Sequence, residues 1–99
     1  MKIILSTFPT LEDAESLAKV LLDKKIVACV QIQGPIKSMY NWKNELICEQ
    51  EWKISIKTKD ENIGVASKIL HEVHPYEIPQ WIVISGTCSL KYEEWVAEE

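Results

Sequence analysis

Residues 46–57 alternate in polarity with a period of two. Leu46, Cys48, Trp52, Ile54 and Ile56 fall on one side of an extended chain, and Glu49, Glu51, Lys53, Ser55 and Lys57 fall on the other. Side chains alternate across a strand, so this pattern predicts a long strand with one apolar face and one wet face. Ile36 to Trp42 reads as a second extended run just before it. Lys43-Asn44 between them supplies turn chemistry, with Asn44 suited to a left-handed conformation. A hairpin follows. At about 3.3 Å per residue such a ribbon reaches well past the body of a small domain.

The rest of the chain must cover the apolar face of that hairpin. Lys2 to Phe8 is a β-prone run ended by Pro9. Thr10 can then cap a helix, with Asp13 placed as in a capping box. Leu11, Ala14, Leu17, Ala18, Leu21 and Leu22 share one helical face, and Lys24 and Lys25 close it. Ile26 to Ile32 predicts the next strand, interrupted at Gly34-Pro35 by a bulge or bend. Asp60 to His74 predicts a second helix, with Ile63, Ala66, Leu70 and Val73 inward and Pro75 stopping it. Ile78 to Ser85 predicts a fourth strand that is apolar on both sides. Leu90 to Val96 predicts a short last helix presenting Tyr92 and Trp95. The order is β-α-β-β-α-β plus a helix, an α+β class of ferredoxin-like pattern. It implies a four-stranded antiparallel sheet with a long hairpin between its second and third strands, in one domain spanning residues 1–99.

Two helices cover only one face of such a sheet. Trp42, Trp52, Trp81 and Trp95 exceed what one helical layer can bury, and the hairpin presents unpaired edge groups. Self-association answers both difficulties. A formal charge of −4 argues against binding a nucleic-acid backbone, which needs a basic stripe. No stretch has the length of a membrane span. The amino-terminal apolar run is too short for a secretion signal, so the cytoplasm is expected. Cys29, Cys48 and Cys88 are odd in number and widely spaced, which indicates neither a disulfide framework nor a CxxC zinc site.

Five blocks occur in a telling order: Ala28-Cys29-Val30-Gln31-Ile32, Ser38-Met39-Tyr40-Asn41-Trp42, Ile56-Lys57-Thr58, His74-Pro75-Tyr76-Glu77-Ile78-Pro79 and Tyr92-Glu93-Glu94-Trp95. Together they resemble the CutA divalent-cation-tolerance family and span nearly the whole chain. The resemblance implies a homotrimer of ferredoxin-like subunits, with sheets around the threefold axis and hairpins bridging neighbours. It implies binding of divalent metal, copper foremost, in a role affecting metal tolerance, and no enzymatic reaction. It also implies a likeness to PII signalling trimers, whose clefts between subunits hold effectors. Ser6 and Val73 stand where some bacterial relatives carry Cys and His, so two ligand types found there are missing.

His74 and Glu77 lie three apart around Pro75, and a neighbouring subunit could complete a divalent-metal site with them. The competing reading makes His74 a cap on the helix end. Cys29, a third candidate ligand, sits on an apolar strand where a small core residue is the plainer expectation. A catalytic Cys29–His74 pair would need a polar, activating setting that these neighbours do not supply. Tyr40 and Trp42 suit either ligand stacking or anchoring of the hairpin on a second copy. Lys37, Lys57 and Lys59 could line a cleft for a small anionic effector, or simply face water.

Overall fold

The computed structural model covers residues 1–99. Its elements run β1 (Lys2–Phe8), α1 (Leu11–Asp23), β2 (Cys29–Trp42), β3 (Glu45–Thr58), a 3-10 turn (Asp60–Asn62), α2 (Ile63–Val73), β4 (Ile82–Ser85) and α3 (Leu90–Glu98). The strands form one antiparallel sheet in the order β2-β3-β1-β4. This is the expected ferredoxin-like arrangement.

Local chemistry fixes most boundaries. The Thr10 hydroxyl accepts the Asp13 backbone N–H at 3.1 Å and starts α1. At the other end Lys25 is left-handed (φ 57°), Lys25 N–H donates to Leu22 O and Ile26 N–H to Leu21 O, both at 3.0 Å. That pair of bonds is a Schellman closure of the helix. The Ile26 carbonyl then accepts both Thr58 Oγ1 and Asn62 Nδ2 at 2.8 Å, tying the start of the next segment to the end of β3. The β2–β3 turn uses Lys43 and Asn44 at φ 49° and 67°, the paired positive φ of a two-residue hairpin loop.

Cross-strand partners share a face, so the register gives the two sides of the sheet. Ile4, Ser6 and Phe8 of β1 pair with Ile56, Ile54 and Trp52 of β3, while Val30 and Ile32 of β2 pair with Ile56 and Ile54. This side packs on the helices through Ala14, Leu17, Leu21, Ala66 and Leu70. Each large apolar side chain fully buried there contributes about 1.5–3 kcal/mol over exposure. The opposite side carries half-buried Ile3 and Leu5 beside Ile84 and Ile82, which are over 40% exposed.

Four expectations need correction. The second strand begins at Cys29 rather than Ile26, whose carbonyl is taken by the Thr58 and Asn62 side chains; the bulge expected at Gly34-Pro35 is present as a register shift between Gln33 and Ile36, and the strand continues to Trp42. Gly34 has a packing role there: a Cβ would lie 2.6 Å from Trp52 Cδ1. The last strand begins only at Ile82. Residues 75–81 form an irregular segment, because Pro75 and Pro79 lack the N–H groups that a ladder needs. Val73, expected inward, is 56% exposed at the last residue of α2, while Leu70 one turn earlier is fully buried. Finally, Glu51, assigned to the wet face, is 7% exposed. A period of two says which side a residue is on, and the folded chain decides what covers that side.

Candidate functional site

The hairpin and the irregular segment after α2 enclose a cleft of about 540 Å³. The register places Ile36, Ser38, Tyr40 and Trp42 opposite Glu51, Glu49, Ile47 and Glu45, so all of these share one face of the ribbon. Tyr40, Trp42, Glu49 and Glu51 line the cleft from that face. Pro75 to Gln80 line it from above, and Thr7 closes its base. The Ser6 hydroxyl donates to the Gln80 carbonyl at 2.7 Å, pinning the end of the upper wall to β1.

His74 anchors the start of that wall. As the C-cap of α2, it donates its backbone N–H to Leu70 O. Its ring stacks on Phe8 with centroids 4.3 Å apart and lies 4.9 Å from the Tyr76 ring. Nε2 lies 2.8 Å from the Thr7 carbonyl, and the Tyr76 backbone N–H donates to Nδ1 at 3.1 Å. A carbonyl only accepts and a backbone N–H only donates, so the partners select the neutral imidazole protonated at Nε2. Burial, assisted by His71, lowers the His74 pKa; the Thr7 bond, Asp13 and Glu51 oppose this less strongly.

Tyr76 continues the chain of contacts by donating its hydroxyl to Glu51 Oε2 at 2.7 Å. Burial, that hydrogen bond and the charges of Glu51 and Glu49 push the Tyr76 phenol far above its usual range. Tyr40 is raised by desolvation, by its interaction with Glu49 and by the Glu51 charge. Both phenols therefore remain protonated donors facing carboxylates at neutral pH. Glu51 has no cationic partner; the two ion pairs of the chain are the N-terminus with Glu93 and Lys2 with Asp60.

The three candidate ligands do not converge. Exposed Glu77 lines the cleft, but His74 does not, and both of its imidazole nitrogens are engaged within the chain. Cys29 is half-buried and pairs with Lys57, six residues along β3 from Glu51, roughly 20 Å away at strand spacing. No three His, Cys, Asp or Glu side chains of one chain come together as a metal site. Lys57 donates to Gln31 Oε1 and Lys59 to the Ala97 carbonyl, so neither faces the cleft; Lys37 is also outside it. Of the residues that do line it, Tyr40 and Trp42 are legible as aromatics near the hairpin tip. Glu51 is not. Its only signal is the Glu49-x-Glu51 spacing, which reads as ordinary strand polarity.

A model of the CutA1 divalent ion tolerance protein family matches residues 2–99. The chain belongs to this family. The divalent-cation tolerance protein CutA of Thermotoga maritima is 33% identical over 99 residues, covering 99% of this chain and 97% of that protein. Among solved structures, the PII-like protein CutA of Nostoc sp. is 34% identical with a TM-score of 0.91, over 99% of this chain and 95% of that one. The protein described as the periplasmic divalent cation tolerance protein CutA of Archaeoglobus fulgidus is also 34% identical, with a TM-score of 0.91, over 97% and 95% of the two chains.

Proposed function

We propose that the protein acts as a homotrimer that binds divalent metal, copper foremost, in a cytoplasmic and non-catalytic role affecting tolerance to metal ions. The observation that carries this reading is the carboxylate-lined cleft: Glu49, Glu51 and Glu77 border it, with no Lys, Arg or His among its lining residues. Family membership supports the divalent-cation role. One chain does not assemble three ligands, so the site is completed by donors from a second copy. The exposed apolar residues support that assembly. Ile82, Val83 and Ile84 on β4 and Met39 and Leu46 on the projecting ribbon are 38–69% exposed, a pattern rare on soluble monomers.

The test is calorimetric titration of chelator-stripped protein with Cu²⁺ and Zn²⁺, alongside Glu49→Gln and Glu77→Gln. Saturable binding at a fixed ratio per subunit, lost in both variants, is expected. Weak binding without stoichiometry, unchanged in the variants, would remove the metal reading. Light scattering on the same samples reads the oligomer, and a monomer would remove the trimer.

A second reading is favoured by the size of the cleft. A volume of about 540 Å³ with the Tyr40, Trp42 and Tyr76 side chains around it suits a small organic effector better than a bare ion. It agrees with the PII-like description of the Nostoc relative. In this reading the protein is a signalling or scaffold module, and metal is incidental.

A further inference from the structure

Glu51 presents an electrostatic problem that the chain does not solve. Its side chain lies in a residue only 7% exposed, yet no Lys, His or N-terminal nitrogen pairs with it. The chain contains no arginine. One neutral donor, the Tyr76 hydroxyl, satisfies Oε2. Oε1 has no hydrogen-bond partner, although every fully buried side-chain polar atom has one. Oε1 therefore reaches the cleft that Glu51 lines. A carboxylate in so buried a residue, with a neutral donor on one oxygen and the other open only to the cleft, favours a cation at that opening.

We infer that the cleft takes a small organic cation, an alkylammonium or guanidinium group, seated against Glu51 between the aromatic side chains of Trp42, Tyr40 and Tyr76. This inference rests on the effector reading and sets the sign of the effector's charge. An N–H donor from such a ligand satisfies Oε1 and supplies the missing positive charge in one contact. Glu49 and Glu77 add negative potential around the cleft, and the absence of any basic lining residue disfavours an anion. The ring faces offer a cation–π surface, strongest for Trp. A naked divalent ion would leave most of the volume and all of the aromatic walls unused.

The experiment uses the full chain in its native assembly with a chelator present, so that metal plays no part. Agmatine and spermidine are the cationic probes, and succinate and ATP are the anionic ones, read by calorimetry and by tryptophan fluorescence. Saturable binding of a cationic probe is expected, with quenching or a shift of the Trp42 signal. It should weaken by roughly tenfold or more in Glu51→Gln, which keeps an acceptor for Tyr76, and in Glu49→Gln, which tests the charge from a less buried position. Binding of succinate or ATP without agmatine or spermidine would overturn the cation inference and leave the effector reading standing. Binding of none of the four would overturn both. Loss of the oligomer in Glu51→Gln without amine binding to the unsubstituted protein would assign the counterion to a second copy, and also overturn the inference.

Discussion

Two glycine substitutions should move stability in opposite directions, and the sign difference tests the packing under the hairpin. At Gly34 a Cβ would lie 2.6 Å from Trp52 Cδ1, 2.9 Å from Trp52 Cγ and 3.1 Å from the Glu51 carbonyl oxygen. The first two distances are shorter than carbon atoms tolerate, so the indole or the bulged backbone must shift. Overpacking of this kind costs about 1–3 kcal/mol. Gly34 has no positive φ, so the strain is steric alone. Against it stands the reduced freedom of alanine in the unfolded chain, about 0.4–1 kcal/mol in favour of the variant. The net expectation for Gly34→Ala is a loss of about 1–2 kcal/mol. At Gly64, in the first turn of α2, nothing lies within 4 Å of an added Cβ. There the helix gains propensity without a clash, and Gly64→Ala should stabilise by about 0.5–1 kcal/mol. Urea unfolding at one fixed protein concentration is the assay, because the proposed trimer would make stability depend on concentration. A neutral or stabilising Gly34→Ala would refute the placement of Trp52 over Gly34. The double variant Gly34→Ala with Trp52→Leu gives an independent check, since removing the indole should recover most of the loss.

Three further outcomes follow from the same structure. Trp52→Ala should cost about 3 kcal/mol, the low end for a large aromatic because the ring is only half-buried, and an unchanged unfolding midpoint would contradict its contact with the core. His74 has a lowered pKa, so the unfolded chain binds the proton first. Stability should therefore be full above the unfolded value of about 6.5 and decline as pH falls below it, by at most about 1.4 kcal/mol per unit. Unfolding midpoints from pH 7.5 to 5 that stay level would refute the buried neutral imidazole. Tyr76, with its phenol raised, should resist ionisation at the pH where a tyrosine of the unfolded chain titrates. Stability should fall as pH rises above the unfolded value of about 10, and Tyr76→Phe should remove that fall; ultraviolet titration at alkaline pH reads both effects.

The resemblance of the sequence blocks to the CutA family and the family match over residues 2–99 agree, and the order of elements is as the periodicity implied. The candidate site was legible only in pieces. The His74-Pro75-Tyr76-Glu77 block stands out in the sequence, yet His74 uses both ring nitrogens to hold the turn, a role no spacing reveals. Residue type alone groups Cys29 with it, and the strand register carries Cys29 to the far end of β3, opposite Lys57.

What the sequence determines by itself is local. Thr10 and Asp13 start a helix, Lys43-Asn44 turns a hairpin, and alternation assigns faces, because each depends on torsions and neighbours a few residues apart. The tertiary structure alone decides what lies over each face. Leu46 and Ile54 belong to one alternating series, but Ile54 is under the helices at 0% exposure and Leu46, on the projecting ribbon, is 69% exposed. Glu51 and Lys53 belong to the other series, and the segment after His74 folds over Glu51 to bury it. Burial is a property of contacts between residues distant in the chain. Periodicity supplies the direction of a side chain, and only the assembled fold supplies what it meets.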